Sequence, residues 1–296
     1  MGDDLFMSKI VITGATGELG QLVVQHLLGK VPANQIAVSV RNVEKASKFA
    51  DQGIEVRYGD YDDPSSLEKS FAGASKLLLI STPQDDSVVR IRKHVDAIEA
   101  AKKAGVQHLF YTSFAAVDKG AFPLLGDVHS ATEYTLRASG LSTTILRNAF
   151  YQDMFVNESL QSFVDSGVIV TSAGNGKINT VERSDLALAA ATVLAEEGHE
   201  DKVYELTSSE TWNYDELAKI LSDVSGKTVT HQSRSDSEVL EGMIKAGVPE
   251  GFAHFLVAHY NSIANGNEGN TSDDLEKLIG RKPISIRESI IKYKSL

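Results

Sequence analysis

The stretch Lys9-Ile10-Val11-Ile12-Thr13-Gly14-Ala15-Thr16-Gly17-Glu18-Leu19-Gly20 decides the fold of this chain. A run of β-branched residues ends at Gly14 and a helical pattern begins near Gly17, which predicts a strand, a tight turn and a helix. If a nucleotide binds here, Gly14 permits the turn, Gly17 lets the backbone approach phosphates, and Gly20 lets the helix pack closely on the sheet. The N–H groups of the first helical turn then face the pyrophosphate. The alternative is a glycine-rich turn that binds no ligand.

Beyond this stretch, short apolar runs alternate with segments of helical spacing. The runs predict strands at 36–40, 54–58, 76–81, 108–112 and 143–147, and helices at 18–29, 43–52, 65–71, 86–104 and 130–139. Strands that alternate with helices form a parallel sheet covered on both faces. The sequence therefore predicts an α/β fold with a doubly wound parallel sheet.

The pattern changes near residue 150. The remaining segments predict helices at 152–166, 184–197, 214–225, 237–246, 252–264, 272–279 and 286–292, and strands at 168–171 and 203–206. We therefore expect a dinucleotide-binding Rossmann domain over 7–150, to which 181–206 returns. A smaller, mostly helical substrate-binding lobe, formed by 151–180 and 207–296, would lie over the carboxyl ends of the strands, where ligands bind in open α/β sheets.

The composition excludes several classes of function. The chain has 296 residues, a net charge of −11 and no cysteine, so disulfides, thiolate metal sites and cysteine nucleophiles are excluded. The eight histidines form no metal-ligand spacing, and no metal is predicted. The net negative charge argues against a nucleic-acid partner and is compatible with binding of cationic small molecules, although it also favours solubility. No membrane span or signal peptide is visible, so we expect a cytoplasmic location.

The end of the second predicted strand indicates which dinucleotide binds. A carboxylate at this place accepts hydrogen bonds from the ribose of NAD, whereas an arginine pairs with the additional phosphate of NADP. This chain has Val40-Arg41-Asn42 there, at about the expected separation from the glycine motif. The sequence therefore predicts NADP as the cofactor, with NADPH preferred over NADH. The alternative is that Arg41 is an ordinary solvated arginine.

Two further loops follow strand ends. Asp60, after the third strand, is placed to accept a hydrogen bond from the adenine amino group; alternatively it helps to begin the next helix, for which Asp62 and Asp63 compete. Ser81-Thr82-Pro83 follows the fourth strand, where the backbone usually passes the second ribose and the pyrophosphate. The cofactor residues predicted in this half of the sheet are Gly14, Thr16, Gly17, Glu18, Leu19, Gly20, Arg41, Asp60, Ser81 and Thr82.

These motifs, with Leu146-Arg147-Asn148 and the loop 173–177, resemble the NmrA-like, atypical branch of the short-chain dehydrogenase/reductase superfamily. Within that branch the chain is most similar to reductases of triphenylmethane dyes and of quinones, from about Lys9 to the C-terminus. The resemblance implies that Ser113, Asn148, Ala149 and Phe150 contact the cofactor near the nicotinamide. It also implies an aromatic acceptor pocket lined by Phe114, His129, Tyr151 and Phe155. For the phenylalanines, the alternative is packing between the lobes.

Ordinary short-chain dehydrogenases use a Tyr-x-x-x-Lys pair as the proton donor, and this chain lacks it. None of its nine tyrosines is followed by lysine four residues later; by resemblance, His129 and Glu133 stand in those two positions. Acid–base chemistry on alcohols and ketones is therefore not expected. A triarylmethyl cation accepts hydride without a proton, and a quinone can take its protons from water or a nearby imidazole. His129 is then dispensable or modestly helpful.

The resulting hypothesis is an NADPH-dependent reductase whose partner is a small, flat aromatic electron acceptor, a quinone or a triphenylmethane dye. Another acceptor, such as an azo dye or an imine, would keep the same fold. A different class is also open: a redox sensor of the NmrA type that binds the dinucleotide and regulates a partner without catalysis. The sequence leaves a homodimer as an open alternative to a monomer.

Overall fold

The computed structural model describes residues 9–82, 86–120 and 122–293. Its centre is a parallel sheet of seven strands: β1 Lys9–Thr13, β2 Ile36–Val40, β3 Glu55–Tyr58, β4 Ala74–Leu79, β5 His108–Phe114, β6 Ser142–Asn148 and β10 Lys202–Leu206. Their spatial order is β10-β6-β5-β4-β1-β2-β3, so the order reverses between β1 and β4. Such a reversal opens a crevice at the carboxyl ends of the strands. The predicted doubly wound parallel sheet is confirmed.

Helices cover both faces of the sheet: α1 Glu18–Leu28, α2 Ser47–Ala50, α3 Pro64–Phe71, α4 Ser87–Lys103, α5 Pro123–Ser139, α7 Arg183–Ala195 and α11 Asp274–Ile279. Side chains of β1 alternate between the two faces. Ile10 and Ile12 pack with α1, α7 and α11, whereas Val11 packs in the cluster that includes α3, α4 and α5. This alternation buries both faces, as the apolar runs predicted.

The rest of the chain packs beside the carboxyl ends of β5 and β6. It comprises β7 Phe150–Tyr151, α6 Ser159–Ser166, β8 Val168–Thr171, β9 Thr180–Val181, α8 Tyr214–Ser225, β11 Thr230–Ser233, α9 Asp236–Lys245, α10 Glu250–Ala264 and α12 Ile286–Lys292. β7 pairs with β9, and β8 pairs with β11, both in parallel. These elements share their own hydrophobic cluster around Trp212 and Ile263. The division into two lobes at the expected boundaries stays a prediction.

Several elements differ from their sequence-based expectations. The short strands β7 and β9 were not predicted, and a 3₁₀ turn at Glu44–Ala46 followed by α2 replaces the helix expected over 43–52. Helix α5 begins at Pro123, because proline suits the first helical position. In place of one helix over 152–166, a 3₁₀ turn at Gln152–Met154 precedes α6. Asn157 separates the two: its amide donates to the Met154 carbonyl at 2.8 Å, and its Oδ1 accepts from the Ser159 N–H at 2.9 Å. Strand β11 was not predicted, because its sequence is polar and lacks an apolar alternation.

Within residues 9–82, 86–120 and 122–293, no helix has the length and apolar character needed to cross a membrane. The same residues contain no group of three or more histidine, aspartate or glutamate side chains placed to hold a metal ion. Pro83, which belongs to one of the predicted cofactor loops, lies outside the described residues.

Candidate functional site

The turn between β1 and α1 requires glycine at two of its three positions. Gly14 has a φ of +61°, in the left-handed region that favours glycine. A Cβ on Gly20 would lie 2.3 Å from the Gly14 carbonyl oxygen and 2.7 Å from the Ala15 Cα. Gly20 therefore lets the first turn of α1 lie against the turn that follows β1, and this contact, rather than one with the sheet, is what excludes a side chain.

Gly17 has a different role because its backbone is unstrained. It is the N-cap of α1, with a φ of −78°, and no side chain caps that end of the helix. The N–H groups of the first turn are therefore available to an anion, and the helix dipole favours negative charge there. A Cβ on Gly17 would approach protein no closer than 3.3 Å, at the Gly14 carbonyl oxygen. An alanine here would need a shift of only a few tenths of an ångström, so the packing requirement for glycine is much weaker than at Gly20.

A cavity of about 580 Å³, which we call the glycine-loop cavity, opens beside this turn. All of the cofactor residues predicted in that half of the sheet line it: Gly14, Thr16, Gly17, Glu18, Leu19, Gly20, Arg41, Asp60, Ser81 and Thr82. Sequence reasoning missed others in the lining, among them Ser39, Gly59, Tyr61, Lys93 and Arg183. The strand-end loops therefore meet at one crevice, as parallel strands require.

Arg41 and Asp60 differ in how firmly the protein holds them. Arg41 is exposed at the end of β2, and no hydrogen bond or ion pair holds it within the described part of the chain. The Asp60 carboxylate accepts from the Asp62 N–H at 3.0 Å, and the Asp60 N–H donates to the Ser66 hydroxyl at 2.9 Å. Asp60 therefore shapes the turn before α3, as the alternative proposed, while it also lines the cavity.

The loop after β4 is held by a buried histidine on α4. The Thr82 N–H donates to His94 Nε2 at 3.1 Å. The Thr132 hydroxyl donates to the Val128 carbonyl at 2.8 Å, so His94 Nδ1–H donates to Thr132 Oγ1 at 2.9 Å. Burial lowers the pKa of His94 to about 3, and the Arg90 charge adds a smaller effect in the same direction. The imidazole is therefore neutral near pH 7. The Thr82 hydroxyl itself is buried and has no protein partner among the described residues.

A second cavity of about 310 Å³, which we call the aromatic cavity, adjoins the first. The two cavities share Ile80, Ser81, Thr82 and Tyr151. The predicted residues that line the aromatic cavity are Ser113, Phe114, His129, Asn148, Ala149, Phe150 and Tyr151. Residues that the sequence reasoning missed are Arg90, Thr112, Leu125, Met154 and Phe255. Arg90 and Lys93 could have been found from their spacing, because it places both side chains on the face of α4 that carries His94.

Phe155 is the predicted site residue that the structure does not bring to the aromatic cavity. Its ring packs edge-on against Trp212, at 5.2 Å, and against Phe150, at 6.5 Å. Because the chain forms a 3₁₀ turn instead of the expected helix, Met154 lines the cavity in its place. Phe155 therefore packs among apolar neighbours, in line with the alternative of hydrophobic packing, and its cluster is the one around Trp212 and Ile263.

His129 lies in the second turn of α5, buried beside a tyrosine. Its Nδ1 is 2.8 Å from the Tyr111 hydroxyl oxygen. Burial, with a contribution from the Arg90 charge, lowers the pKa of His129 to about 3. Burial also raises the pKa of Tyr111 well above its ordinary value. The pair is therefore neutral near pH 7 and holds no proton acidic enough for strong general-acid catalysis.

Glu133, four residues further along α5, is part of a buried ion-pair network. Arg147 Nε and Nη2 contact its carboxylate at 3.0 and 2.9 Å. Arg147 also pairs with Glu205 at 2.8 Å and Asp118 at 2.9 Å, and its pKa is raised. The Ser113 hydroxyl donates to Glu133 at 2.6 Å. This network joins β5, β6, β10 and α5. Glu133 and the Ser113 hydroxyl therefore stabilise the sheet, and both are already hydrogen-bonded to protein groups.

Tyr151 separates the two cavities and is itself held by a cation. The Arg183 guanidinium lies over its ring, 4.4 Å from the centroid, and pairs with Glu18 and Asp153. A doubly wound sheet with a glycine-rich turn at its strand-order reversal, opening onto two adjoining cavities, defines a dinucleotide-binding protein of the Rossmann class.

The chain belongs to the NmrA-like family, whose family model matches residues 7–296. It is 41% identical over 282 residues to quinone oxidoreductase 2 of Escherichia coli, covering 95% of this chain and 97% of the relative. The crystal structure of a Citrobacter triphenylmethane reductase complexed with NADP(H) has a TM-score of 0.91 and 53% identity, over 96% of this chain and 99% of that one. The E. coli quinone oxidoreductase complexed with NADPH has a TM-score of 0.90 and 40% identity, over 95% and 98% of the two chains.

Proposed function

We propose that this protein is an NADPH-dependent reductase that transfers hydride to quinones or to flat aromatic acceptors of the triphenylmethane-dye type. The observation that carries the proposal is the junction of the two cavities at Ser81, Thr82 and Tyr151. There, a cleft beside the uncapped N-terminus of α1 meets a pocket with mostly apolar walls. The relatives with this fold include a quinone oxidoreductase and a triphenylmethane reductase whose structures contain NADP(H).

The glycine-loop cavity fits a phosphorylated dinucleotide. The uncapped N-terminus of α1 offers N–H groups to the pyrophosphate. Arg41, which no hydrogen bond or ion pair holds within the described part of the chain, would pair with the 2′-phosphate. The buried Thr82 hydroxyl, which has no protein partner among the described residues, would hydrogen-bond the same ligand. Asn148, Ala149 and Phe150 would hold the nicotinamide end. When bound, NADPH supplies the hydride.

The chain's own contribution is then to bind, orient and exclude water. Phe114 and Phe150 are edge-on to each other at 4.9 Å and form an apolar wall for a flat ring. His129, neutral and bonded to Tyr111, offers a hydrogen bond rather than an acidic proton. Acceptors that take hydride readily need positioning beside the nicotinamide more than they need an acid.

The test is steady-state oxidation of NADPH, followed at 340 nm, with a neutral quinone (menadione) and with a cationic dye (malachite green). The proposal predicts turnover that saturates with at least one acceptor and is slower with NADH. Saturable binding without turnover, together with preference for the oxidised cofactor, would contradict the proposal and indicate a redox sensor. Phe155→Leu is a matched control, because the residue packs outside the aromatic cavity and should leave KM for the acceptor unchanged.

Three further predictions belong to this proposal. A cytoplasmic location would place the enzyme where NADPH is regenerated. A homodimer is tested by sedimentation of the purified chain. The smaller lobe, formed by 151–180 and 207–296, would supply acceptor contacts; Met154 and Phe255 line the aromatic cavity from this part of the chain.

A further inference from the structure

The aromatic cavity has one positively charged residue in its wall, and the proposed reaction does not use it. Arg90 lies in the first turn of α4 and is only 9% exposed. Its Nη2 donates to the Ser81 hydroxyl at 2.9 Å. Its Nε is buried without a hydrogen-bond partner, and among the residues with described positions no carboxylate pairs with the guanidinium. The side chain lines the aromatic cavity, so a ligand there would lie beside this charge.

Arg147 shows how the protein treats a buried guanidinium that serves only the fold. It is 5% exposed and pairs with Glu133, Glu205 and Asp118. Arg90 faces uncharged groups instead: the Ser81 hydroxyl, Tyr111, and the neutral imidazoles of His94 and His129, whose pKa values it helps to lower. Burial lowers the pKa of Arg90, but a guanidinium stays protonated near neutral pH. A buried charge without a countercharge is unfavourable, and a charged or polar ligand would relieve it.

We propose that Arg90 makes the aromatic cavity selective for acceptors that develop negative charge on oxygen, which are quinones, over cationic triarylmethyl dyes. This inference rests on the proposed reductase function and names its preferred acceptor class. The Arg90 side chain and His129 line the same cavity, so a carbonyl oxygen bound there would lie near the guanidinium charge and a neutral imidazole. Donors aimed at an oxygen that becomes anionic stabilise the transition state more than the ground state.

The chemistry of the two acceptors explains the expected selectivity. A quinone accepts the hydride at one carbonyl oxygen, which forms an O–H bond, while NADPH is oxidised to NADP⁺. The electrons pass through the ring, the π pair of the opposite C=O bond moves to its oxygen, and that oxyanion takes a proton from water to complete the hydroquinone. A triarylmethyl cation gains the same hydride at carbon and becomes neutral, with no oxyanion to stabilise. Arg90 therefore favours the first reaction and repels the substrate of the second.

The test compares kcat/KM for menadione and for malachite green at saturating NADPH. Arg90→Gln removes the charge and keeps N–H donors, and Arg90→Lys keeps the charge. Arg92→Gln is the matched control, an exposed arginine on the same helix. Arg90→Gln should lower the ratio of quinone to dye kcat/KM by about tenfold or more, which corresponds to about 1.4 kcal/mol. Arg90→Lys should keep most of the ratio, and Arg92→Gln all of it. Equal losses for both acceptors would indicate a structural role and overturn the proposal.

A binding measurement separates this inference from the proposed function. The probe is 2-hydroxy-1,4-naphthoquinone, which is anionic at neutral pH, titrated into the protein without NADPH and followed by quenching of Trp212 fluorescence. Wild-type protein should bind it about tenfold or more tightly than Arg90→Gln does. Equal affinities would refute the role of Arg90. Wild-type protein that reduces neither acceptor would refute the proposed function, and the binding contrast would still decide the role of Arg90.

Discussion

Two alanine substitutions in the glycine-rich turn should separate its role in folding from its role in binding. In Gly20→Ala the new methyl would lie 2.3 Å from the Gly14 carbonyl oxygen and 2.7 Å from the Ala15 Cα, both of them backbone atoms. In Gly17→Ala the nearest atom is that same carbonyl oxygen, at 3.3 Å, and the backbone already has a φ of −78° that alanine adopts. The first substitution therefore collides with the protein, and the second points its methyl at the space where the ligand would lie.

The magnitudes follow from these contacts. Gly20→Ala requires α1 and the turn to separate by about 1 Å, and overpacking of this kind typically costs about 1–3 kcal/mol. Because both contacts are with backbone atoms, the cost should lie at the upper end of this range, about 3 kcal/mol; alanine recovers up to about 1 kcal/mol in a helix, so the net loss of stability is about 2 kcal/mol. For Gly17→Ala, the 3.3 Å contact with the Gly14 carbonyl oxygen is relieved by a shift of a few tenths of an ångström. The small cost of that shift and a poorer N-cap are offset by a less flexible unfolded chain, so the net change is within about 0.5 kcal/mol.

Urea unfolding measures stability, and titration with NADPH, followed by nicotinamide fluorescence, measures affinity. Gly17→Ala should unfold like wild type and bind NADPH about tenfold or more weakly, because its methyl enters the glycine-loop cavity. Gly20→Ala should lose stability, and it should lose affinity because the turn moves. Wild-type NADPH affinity in Gly17→Ala would show that the pyrophosphate does not cross this turn. Wild-type stability in Gly20→Ala would refute the packing argument.

Arg41→Ala should weaken NADPH binding by about tenfold and leave NADH binding unchanged; equal losses in parallel titrations would contradict the assignment of Arg41 to the 2′-phosphate. His129→Asn, which retains a polar atom for Tyr111, should change kcat for a cationic dye by less than about threefold; a loss of about a hundredfold would mean that acid catalysis operates. Burial lowers the pKa values of His94 and His129 to about 3 and that of His259 to about 4. Below pH 6.5 the unfolded chain therefore binds more protons than the folded one. The free energy of unfolding should then fall as the pH falls. At pH 5.5 each of the three histidines should lower the free energy of unfolding by about 1.4 kcal/mol, or about 4 kcal/mol together. The variant His259→Phe should lose about a third of this pH dependence. An unchanged pH dependence in that variant would contradict the reasoning.

The parts of the fold and site that depend on local patterns could be predicted from the sequence. The strand, turn and helix around Gly14 follow from a β-branched run and three glycines, and parallel strands must bring their carboxyl ends to one edge of the sheet. That rule placed Arg41, Asp60 and Ser81 at the same cavity, although they are far apart in the chain. The resemblance to a family added the residues of the aromatic cavity that no spacing reveals, such as Ala149.

The parts that depend on packing could not be predicted. Arg90 is a charged residue on a helix, and such residues are usually solvated; only the tertiary structure shows that it is buried in a cavity wall. The resemblance placed Phe155 at the aromatic cavity, but Met154 lines it instead, because a 3₁₀ turn and the Asn157 side chain interrupt the helix expected over 152–166. Strand β11 forms because β8 offers it a partner, not because its own residues favour a strand.

The most direct test of hydride transfer without a tyrosine acid uses NADPH that carries deuterium at both C4 positions, with malachite green as acceptor in ordinary water. If hydride passes directly from the cofactor to the central carbon, mass spectrometry of the reduced dye will show one deuterium atom per molecule. A reduced dye without deuterium would mean that the hydrogen comes from solvent, and the proposed mechanism would be wrong.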